Sequence, residues 1–406
     1  MSTVIRVNRT ARPLGEVARF LRGITFKPED VVEPGTEGSV VCMRTKNVQT
    51  DLDQSDMLAV PSKFIRRDEL YLRESDILVS TANSWDLVGK CSWVPRLDYL
   101  ATAGGFISIL RADPSLVVPR YLYYWFNSDQ TQHAVRLCGR QTTNISNMSY
   151  ERCESLKIPL PPLPEQRRIA EILDKAAAIR RKGNAAIQLL NDVVPAAFND
   201  LFGAAVENRS AWPSPPLATL LRPTDKINYG VVQPGADTPG GVPLIRVGDL
   251  LDGAVRHASL KRIATDIDEK HAKSRLAGDE VLLVCVGVTI GKIALCDPSL
   301  RGFNIARAIA RIPCGPMLAP RYLATYLALP YVQGSLTRET RTVAQPTLNI
   351  KQIEELPVVL PPIDLQNKFS NFSERTAEAI SHIKAAAAEQ ELLFNSLVQL
   401  ALNGEL

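Results

Sequence analysis

Short apolar runs bounded by glycine, proline or aspartate fill the first part of the chain, and the same order of runs returns in the second part. Runs this short and this rich in β-branched residues predict strands, and a proline at the head of an apolar segment predicts the first turn of a helix. In the first part the predicted strands are 38–44, 76–80 and 104–110, and the predicted helix begins at 119–126. In the second part the strands are 240–246, 279–284 and 303–312, and the helix begins at 320–326.

The repeat is long and nearly regular. Arg246 lies 202 positions after Arg44, and Pro320 lies 201 positions after Pro119. A motif closes each half: Leu-Pro-Pro-Leu-Pro-Glu-Gln-Arg-Arg-Ile at 160–169 and Leu-Pro-Pro-Ile-Asp-Leu-Gln-Asn-Lys-Phe at 360–369. Between these anchors the halves barely resemble each other. A shared scaffold with different loops is the pattern expected of two related binding sites with different targets.

A long helix is predicted after each motif, because apolar residues recur there at spacings of three and four. The first seam is Ile172, Ala176, Ile179, Gly183, Ile187, Leu190, Val194, Ala197 and Leu201. The second seam is Phe372, Thr376, Ile380, Ile383, Ala387, Gln390, Phe394, Leu397 and Ala401. Gly183 and Pro195 are expected to loosen or kink the first helix.

The matched lengths of the two seams favour pairing of the helices with each other, and the alanine-rich run 385–388 permits close approach. A helix of roughly 35 residues is about 50 Å long. The alternative is that each helix packs on its own globular domain. The predicted fold class is therefore α+β: two tandem α/β domains of similar fold with two long helices that pair with each other, in an internal repeat. The predicted bounds are 1–155 and 204–355 for the domains, and 156–203 and 356–406 for the helical regions.

Composition adds few constraints. The 406 residues are 45% hydrophobic and 22% charged, which is typical of a globular protein, and a net charge of +4 permits a polyanionic partner without demanding one. Seven cysteines without a C-x-x-C pair suggest neither a disulfide framework nor a zinc site. No signal peptide is visible, and the apolar run 281–291 is too short to span a membrane.

The motifs that resemble catalytic or nucleotide-binding sites are weak. Gly287 to Lys292 resembles a phosphate-binding loop, but it has three residues between its glycines instead of four, and Ile293 follows the lysine, so a turn between strands is the better interpretation. The run 268–270 is interpreted as a solvated charge run. The four histidines have neither metal-ligand spacing nor a neighbouring nucleophile motif. We predict no catalytic and no metal-binding residue.

The remaining polar groups suit binding. Arginine reads guanine and amide side chains read adenine in the major groove, and cationic side chains also hold phosphates. The candidate DNA-binding residues of the first half are Arg44, Lys46, Asn47, Lys90, Arg140, Gln141, Thr142 and Asn144. Those of the second half are Arg246, Lys292, Arg338, Arg341 and Gln345. A polar loop that merely solvates its domain is the alternative for each of them.

The two motifs, the helix after each, the repeated openings Pro13-Leu-Gly-Glu-Val and Pro216-Leu-Ala-Thr-Leu, and the Gly-Lys turns at 89–90 and 291–292 together resemble the specificity subunit of type I restriction–modification systems. The resemblance covers essentially the whole chain. The second motif departs from the family pattern at Asp364, Leu365, Asn367 and Lys368.

The resemblance implies two target recognition domains, each reading one half of a bipartite sequence in double-stranded DNA, and no catalysis by this chain. It also implies that two long antiparallel helices separate these domains as a coiled-coil spacer, in a pseudo-two-fold internal repeat. It implies two methyltransferase (M) subunits and restriction (R) subunits as partners, with no membrane and with a cytoplasmic location in a prokaryote, on the DNA of the nucleoid. The chain itself is expected to bind no cofactor. S-adenosylmethionine would belong to the M subunits, and ATP and magnesium to the R subunits.

Two other classes of function remain open. The tandem domains could bind proteins as an adaptor that does not contact nucleic acid, in which case DNA would not retain the chain. An enzyme with an unrecognised site is the other alternative, and methylation or cleavage by the isolated chain would favour it. The target sequence is not readable from the loops, because loop conformation decides which side chains reach the bases.

Overall fold

The computed structural model describes residues 10–141, 145–203, 212–340 and 347–405, without the side chains of 140, 141 and 337–340. The chain divides into two compact units. Unit 1 comprises residues 1–184 and 385–406, and unit 2 comprises residues 185–384. Both boundaries fall inside the two long helices, so each of these helices contributes to both units.

Unit 1 is built on short strands: β1 (Thr10–Pro13), β2 (Ala18–Arg22), β3 (Ser39–Met43), β4 (Ala59–Pro61), β5 (Ile77–Ser80), β6 (Ala82–Asn83), β7 (Cys91–Trp93), β8 (Ala101–Ala103), β9 (Ile107–Ala112), β10 (Gly139–Gln141), β11 (Ser146–Met148) and β12 (Lys157–Leu160). An antiparallel sheet has the order β2-β9-β5-β7, and β5 is buried along its whole length. A second sheet has the order β4-β3-β8, with β3 and β8 parallel. β10, β11 and β6 form a third sheet, and β1 pairs with β12.

Unit 2 repeats this design with the strands β13 (Asn228–Tyr229), β14 (Val242–Ile245), β15 (Leu250–Leu251), β16 (Ala254–Val255), β17 (Lys261–Ile263), β18 (Val281–Val284), β19 (Ile293–Leu295), β20 (Asn304–Ile305) and β21 (Ile309–Ile312). Its sheets have the orders β13-β21-β18-β19 and β17-β14-β20, and β14 and β20 are again parallel. The same orders, with a parallel pair at the same place, confirm the predicted α+β class and the internal repeat.

The helices are α1 (Pro119–Phe126), α2 (Asp129–Leu137), α3 (Tyr150–Glu154), α4 (Leu163–Phe198), α5 (Thr265–Lys270), α6 (Pro320–Ala328), α7 (Pro330–Thr340), α8 (Ile350–Glu354) and α9 (Ile363–Asn403). α4 and α9 are the two long helices predicted after the motifs. α4 runs without interruption through Gly183 and Pro195, and a π-helical turn, Asn199–Gly203, follows it. The missing N–H of Pro195 therefore does not end the helix.

The recurring glutamine of the motif holds the start of each long helix to its domain. The Gln166 side chain accepts a hydrogen bond from the Val118 backbone N–H (2.8 Å) and donates one to the Pro161 carbonyl (2.8 Å). Gln366 bonds in the same way to Ala319 (3.0 Å) and Pro361 (2.8 Å). Both glutamines are buried. Since a buried amide must have partners, this geometry explains why the glutamine recurs.

A second repeated link joins the domain helix to the long helix. Arg120 of α1 donates to Asp174 of α4 (2.6 Å), and Arg321 of α6 pairs with Glu374 of α9 (3.6 Å). In unit 1 this arginine also lies over the ring of Trp93, 4.7 Å from its centroid. Each unit therefore orients its long helix by an equivalent ion pair, although the residues around the two pairs differ.

The seam of α4 differs from the prediction in its first half. Ile169, Leu173 and Ala177 are the buried positions, while Ile179 is 54% exposed. The prediction that Ile179 lies in the buried seam is therefore wrong. The first turns of α4 pack on the core of the unit 1 domain, and this packing decides which side of the helix is buried. Ile172, Ile187 and Leu190 are partly buried, as are Ile380, Ile383 and Leu397, and Phe394 is buried. Phe372 of the second predicted seam is 41% exposed.

The two long helices pair within each unit. In unit 1, Arg180 donates to Glu391 (3.0 Å) and Gly183 lies beside Gln390, so the two helices are antiparallel there. The core of unit 1 contains residues of its sheet domain and of both helices; the helix residues are Ile169, Leu173, Ala177, Phe394, Val398 and Ala401. In unit 2, Phe198 lies 5.3 Å from Phe369, centroid to centroid. Pairing with each other and packing on the domain thus occur together.

Each unit buries a carboxylate just before its central strand. In unit 1, Asp76 receives two bonds from Arg111, at 2.7 and 2.6 Å. In unit 2, Glu280 is fully buried, accepts backbone N–H groups of the preceding turn, and pairs with Arg311 (3.1 Å). Arg311 also bonds to Asp225 (2.9 Å) and to the Lys273 carbonyl (2.9 Å). Because these groups are buried, removing one member of either ion pair would leave the other charge unpaired and away from water.

Candidate nucleic-acid interface

The Gly-Lys turns occupy equivalent places between two antiparallel strands, as predicted for a turn rather than a phosphate-binding loop. Gly89 and Gly291 have φ angles of +87° and +88°, a conformation that glycine adopts without strain. A glutamine of the following helix donates to each glycine carbonyl: Gln132 to Gly89 and Gln333 to Gly291, both at 2.9 Å. The lysine after each glycine is therefore presented from a fixed turn.

Lys90 belongs to a polar group that the structure assembles after β3. Lys90 donates to the Gln49 side chain, and Gln49 donates to the Lys46 carbonyl (2.8 Å). Lys46 pairs with Asp56, which also accepts a bond from Arg44 (3.0 Å). The predicted residues Arg44, Lys46 and Lys90 are thus brought together.

Asn47 has an internal role in this structure. Its side chain accepts from the Arg44 backbone N–H (2.8 Å) and donates to the carbonyls of Asp53 (2.9 Å) and Asp56 (3.0 Å). Asn47 is only 1% exposed. All of its amide groups are therefore used in shaping the turn that carries Arg44 and Lys46, and it does not present a polar edge to the surface.

The corresponding turn of unit 2 places Arg246 over Asp249, with bonds of 3.1 and 3.2 Å. These bonds raise the pKa of Arg246 above its usual value. The Asp249 carboxylate also accepts from the Arg246 backbone N–H (2.8 Å), as Asn47 does for Arg44. Lys292 lies in the Gly-Lys turn before β19 and is partly buried.

The late loops are described only in part. Arg140 and Gln141 lie on β10, opposite Asn147 and Ser146 of β11, but their side chains are not described. Thr142, Asn144, Arg341 and Gln345 lie outside the described residues, and for Arg338 only the place in α7 is known. Their roles remain predictions.

A cleft of about 700 Å³ opens in unit 1 beside β11. Its lining is largely apolar, with arginine, threonine and asparagine side chains among it; the residues are Arg22, Ile24, Thr25, Phe26, Pro28, Val31, Arg44, Thr45, Leu58, Thr81, Ala82, Gly104, Gly105, Phe106, Ile107, Asn147, Met148 and Tyr150. Arg44 is the one residue of this cleft that the sequence analysis predicted. The cleft places it with Arg22 and with Phe106, which is 68% exposed.

Sequence reasoning missed Arg22 and Phe106. A signal for Phe106 was present: it follows Gly104 and Gly105 in a turn, where an apolar side chain has no neighbouring core to enter. Arg22 gave no such signal, since it ends a strand like many surface arginines. The interpretation of the run 268–270 as a solvated charge run is wrong, because Asp268 is buried and accepts hydrogen bonds from Arg275 (2.7 Å) and Asn304 (2.8 Å). These partners come from sequence positions that a charge pattern does not reveal.

The cysteines have a packing role. Burial raises the pKa of Cys42, Cys285 and Cys314 to about 12, so these thiols are neutral near pH 7. Among the residues that the structure describes, no group of three histidine, cysteine or acidic side chains is placed to hold a metal ion. Within the same residues, no helix has the length and apolar character needed to cross a membrane.

Comparisons with known proteins agree on one family. Residues 10–189 match the family model described as the type I restriction modification DNA specificity domain. The specificity subunit of the type I restriction enzyme EcoBI from Escherichia coli is 29% identical over 293 residues, covering 65% of this chain and 61% of that relative. The StySPI specificity subunit from Salmonella potsdam is 23% identical, covering 97% of this chain and 88% of the relative.

A solved structure shares the fold over nearly the whole chain. The type I restriction–modification S subunit from M. genitalium superimposes with a TM-score of 0.62 at 16% identity, covering 99% of this chain and 98% of that one. At this identity the likeness concerns the fold alone. It covers both halves of the chain and both long helices.

Proposed function

We propose that the chain is a specificity subunit of the type I restriction–modification family, whose function is DNA recognition, and that its two units each read one half of a bipartite DNA sequence. The observation that carries this proposal is the repeat itself. The sheets, the Gly-Lys turn and the buried glutamine recur, while an aromatic residue of the unit 1 cleft does not. Phe106 corresponds to Ala308 in unit 2, since the carbonyls of both accept hydrogen bonds from equivalent backbone N–H groups.

The proposed recognition domains are residues 1–155 and 204–355, and the proposed spacer regions are 156–203 and 356–406. The paired sections of α4 and α9 support the second assignment. Half-sites about one turn of DNA apart, roughly 34 Å, require a rigid element on that scale. A helix of the length of α4, Leu163–Phe198, meets this requirement.

The proposal assigns the chemistry to partners. M subunits would bind S-adenosylmethionine and methylate adenine, R subunits would use ATP and magnesium to cleave unmethylated DNA, and this non-catalytic chain would select the site in the cytoplasm, where the DNA is. The test is methylome sequencing of two cell populations: one carries the genes for the M partner and this chain, and the other carries the M partner alone. We expect a bipartite methylated motif that disappears with the chain. A motif that persists unchanged without the chain would refute the proposal.

The two lysines of the Gly-Lys turns are expected to contact phosphates. Replacing Lys90 or Lys292 by glutamine should weaken binding to cognate and scrambled duplexes by the same factor, because a phosphate contact carries no sequence information. The slope of log affinity against log salt should fall by about one unit for each lysine. Titrations at several salt concentrations measure both quantities.

Lys351→Gln is the matched control for the lysines, since Lys351 is an exposed lysine of α8 that pairs with Glu355 (3.7 Å) outside these turns. It should leave the slope unchanged. A wild-type slope for both Lys90→Gln and Lys292→Gln would mean that the turns do not face the DNA backbone.

The length of the helix pair is expected to set the gap between the half-sites. Because Gly183 of α4 lies beside Gln390 of α9, four residues inserted after Gly183 need four matching residues after Glu389. The rise of about 1.5 Å per residue then adds roughly 6 Å, close to two base pairs. Methylome sequencing should show the same half-sites with a longer gap.

The control for the insertion is the same four residues placed after Gly404, beyond the end of α9. This variant should keep the original gap. An unchanged gap after the paired insertion, with methylation retained, would show that the helices do not act as the ruler.

A further inference from the structure

The cleft of unit 1 has the size and the lining of a site for a small planar ligand. Its volume of about 700 Å³ exceeds that of a single nucleobase, and its lining includes the aromatic side chains of Phe26, Phe106 and Tyr150. Aromatic faces stack on any nucleobase, because every base has a π-face. Arg22 and Arg44, also in the lining, complement the charge of a phosphate attached to such a base.

Arg44 supplies cationic donors to the cleft. Its side chain lines the cleft together with Arg22, and its Nη2 atom is bonded to Asp56 (3.0 Å), which holds the guanidinium in place. A nucleobase edge or a phosphate oxygen has the acceptors that suit a guanidinium group.

Phe106 is exposed beside the same cleft. It follows Gly104 and Gly105, and Thr25 and the backbone of Ile24 leave little room for a side chain at Gly105. The Phe106 carbonyl is held by the Thr81 backbone N–H (2.9 Å), so its position is fixed by the sheet although its ring is 68% exposed. The equivalent residue of unit 2 is Ala308, whose carbonyl is bonded to Cys285 (2.8 Å). The aromatic ring is therefore a property of unit 1.

We propose that this cleft receives one nucleobase of the half-site read by unit 1, lifted out of the base stack and stacked on Phe106. The proposal rests on the proposed function, since it concerns the DNA bound by that unit. Proteins that separate base steps use an apolar or aromatic side chain as the wedge, and the exposed ring of Phe106 is suited to that role. The absence of this ring at Ala308 confines the proposal to the half-site of unit 1.

The test uses the full chain in complex with its M subunits and a cognate duplex. Each purine of the half-site is replaced in turn by 2-aminopurine and each cytosine by pyrrolocytosine, both of which fluoresce when unstacked, and permanganate reports unstacked thymines. Bases that are methylated in the cognate motif are left out, because the methyltransferase acts on them directly. We expect one further position to become unstacked on binding.

Phe106→Ala should abolish that signal and weaken cognate binding by about tenfold. Phe106→Trp should retain the signal and the wild-type affinity, because its ring can also stack on a base. Leu100→Ala is the matched control: Leu100 is 63% exposed and lies at the other end of β8, away from the cleft, so its variant should behave as wild type. Binding is measured independently by gel retardation.

The outcomes separate this proposal from the proposed function. Wild-type retardation of the cognate duplex without an unstacked base outside the methylated positions would overturn the base-cleft proposal alone. A signal that persists in Phe106→Ala would also overturn it. Failure of the complex to prefer the cognate duplex at all would overturn both.

Discussion

Exchange of the first proposed recognition domain for that of a relative is expected to replace one half of the methylated motif and leave the other half and the gap unchanged. The physical reason is that each unit has its own sheets and its own core. The effect should be complete, with loss of methylation at the original sequence. Methylome sequencing of cells carrying the chimera measures it.

The structure determines where the exchanged segment must end. β1 pairs with β12, from Thr10 opposite Leu160 to Pro13 opposite Lys157, so a segment of 1–155 would separate two paired strands. Exchanging residues 14–156 keeps both strands from the host. The control is a chimera that exchanges the equivalent segment of unit 2, which should change the other half of the motif. A change in both halves after either exchange would contradict independent reading.

Replacing Arg311 by methionine is expected to destabilise unit 2 by about 3–5 kcal/mol, because it leaves the buried Glu280 carboxylate without its cation. Glu280 is 0% exposed and Arg311 is 5% exposed, so water does not compensate. Asp225 loses the same partner. Native-state hydrogen exchange, followed by mass spectrometry on peptides that contain β18 and β21, measures the free energy of opening of this unit without requiring the whole chain to unfold in one step.

Lys270→Met is the control for this prediction. Lys270 pairs with Asp266 at 3.7 Å on the surface of α5, and both side chains are well exposed. Its replacement should change the stability of unit 2 by less than about 0.5 kcal/mol. A loss below about 1 kcal/mol for Arg311→Met would contradict the expectation that the buried Glu280 carboxylate depends on this cation.

Periodicity and repetition predicted the architecture well, since they depend on many positions at once. Both long helices and the α+β class follow from spacing that no single residue can disturb. The six predicted strands are a part of the sheets, and two of them are imprecise: 303–312 contains both β20 and β21, and 104–110 begins in the turn before β9. The pattern predicts less well which side of a helix is buried. Ile179 belongs to a regular three–four pattern, yet the first turns of α4 rotate Leu173 and Ala177 inwards instead, because the sheet domain supplies the larger apolar surface there.

The details of the candidate site were harder to predict because they depend on residues that are distant in the chain. Asn47 resembles a base-reading amide, but its amide groups are used by Arg44, Asp53 and Asp56. The cleft is formed by segments between Arg22 and Tyr150 that only the folded sheets bring together. A sequence pattern records neighbours along an element, whereas a cleft is a property of the loops between elements.

The order in which the ribosome delivers this chain has a consequence for unit 1. Three residues of its core, Phe394, Val398 and Ala401, are synthesised only after the whole of unit 2. Unit 2, which ends at residue 384, can complete its own core first. The nascent first domain must therefore wait, with the face of Tyr124 that packs on Phe394 uncovered, for residues 385–401 to emerge. A premature stop between codons 385 and 401 damages the domain encoded first and spares the one encoded second.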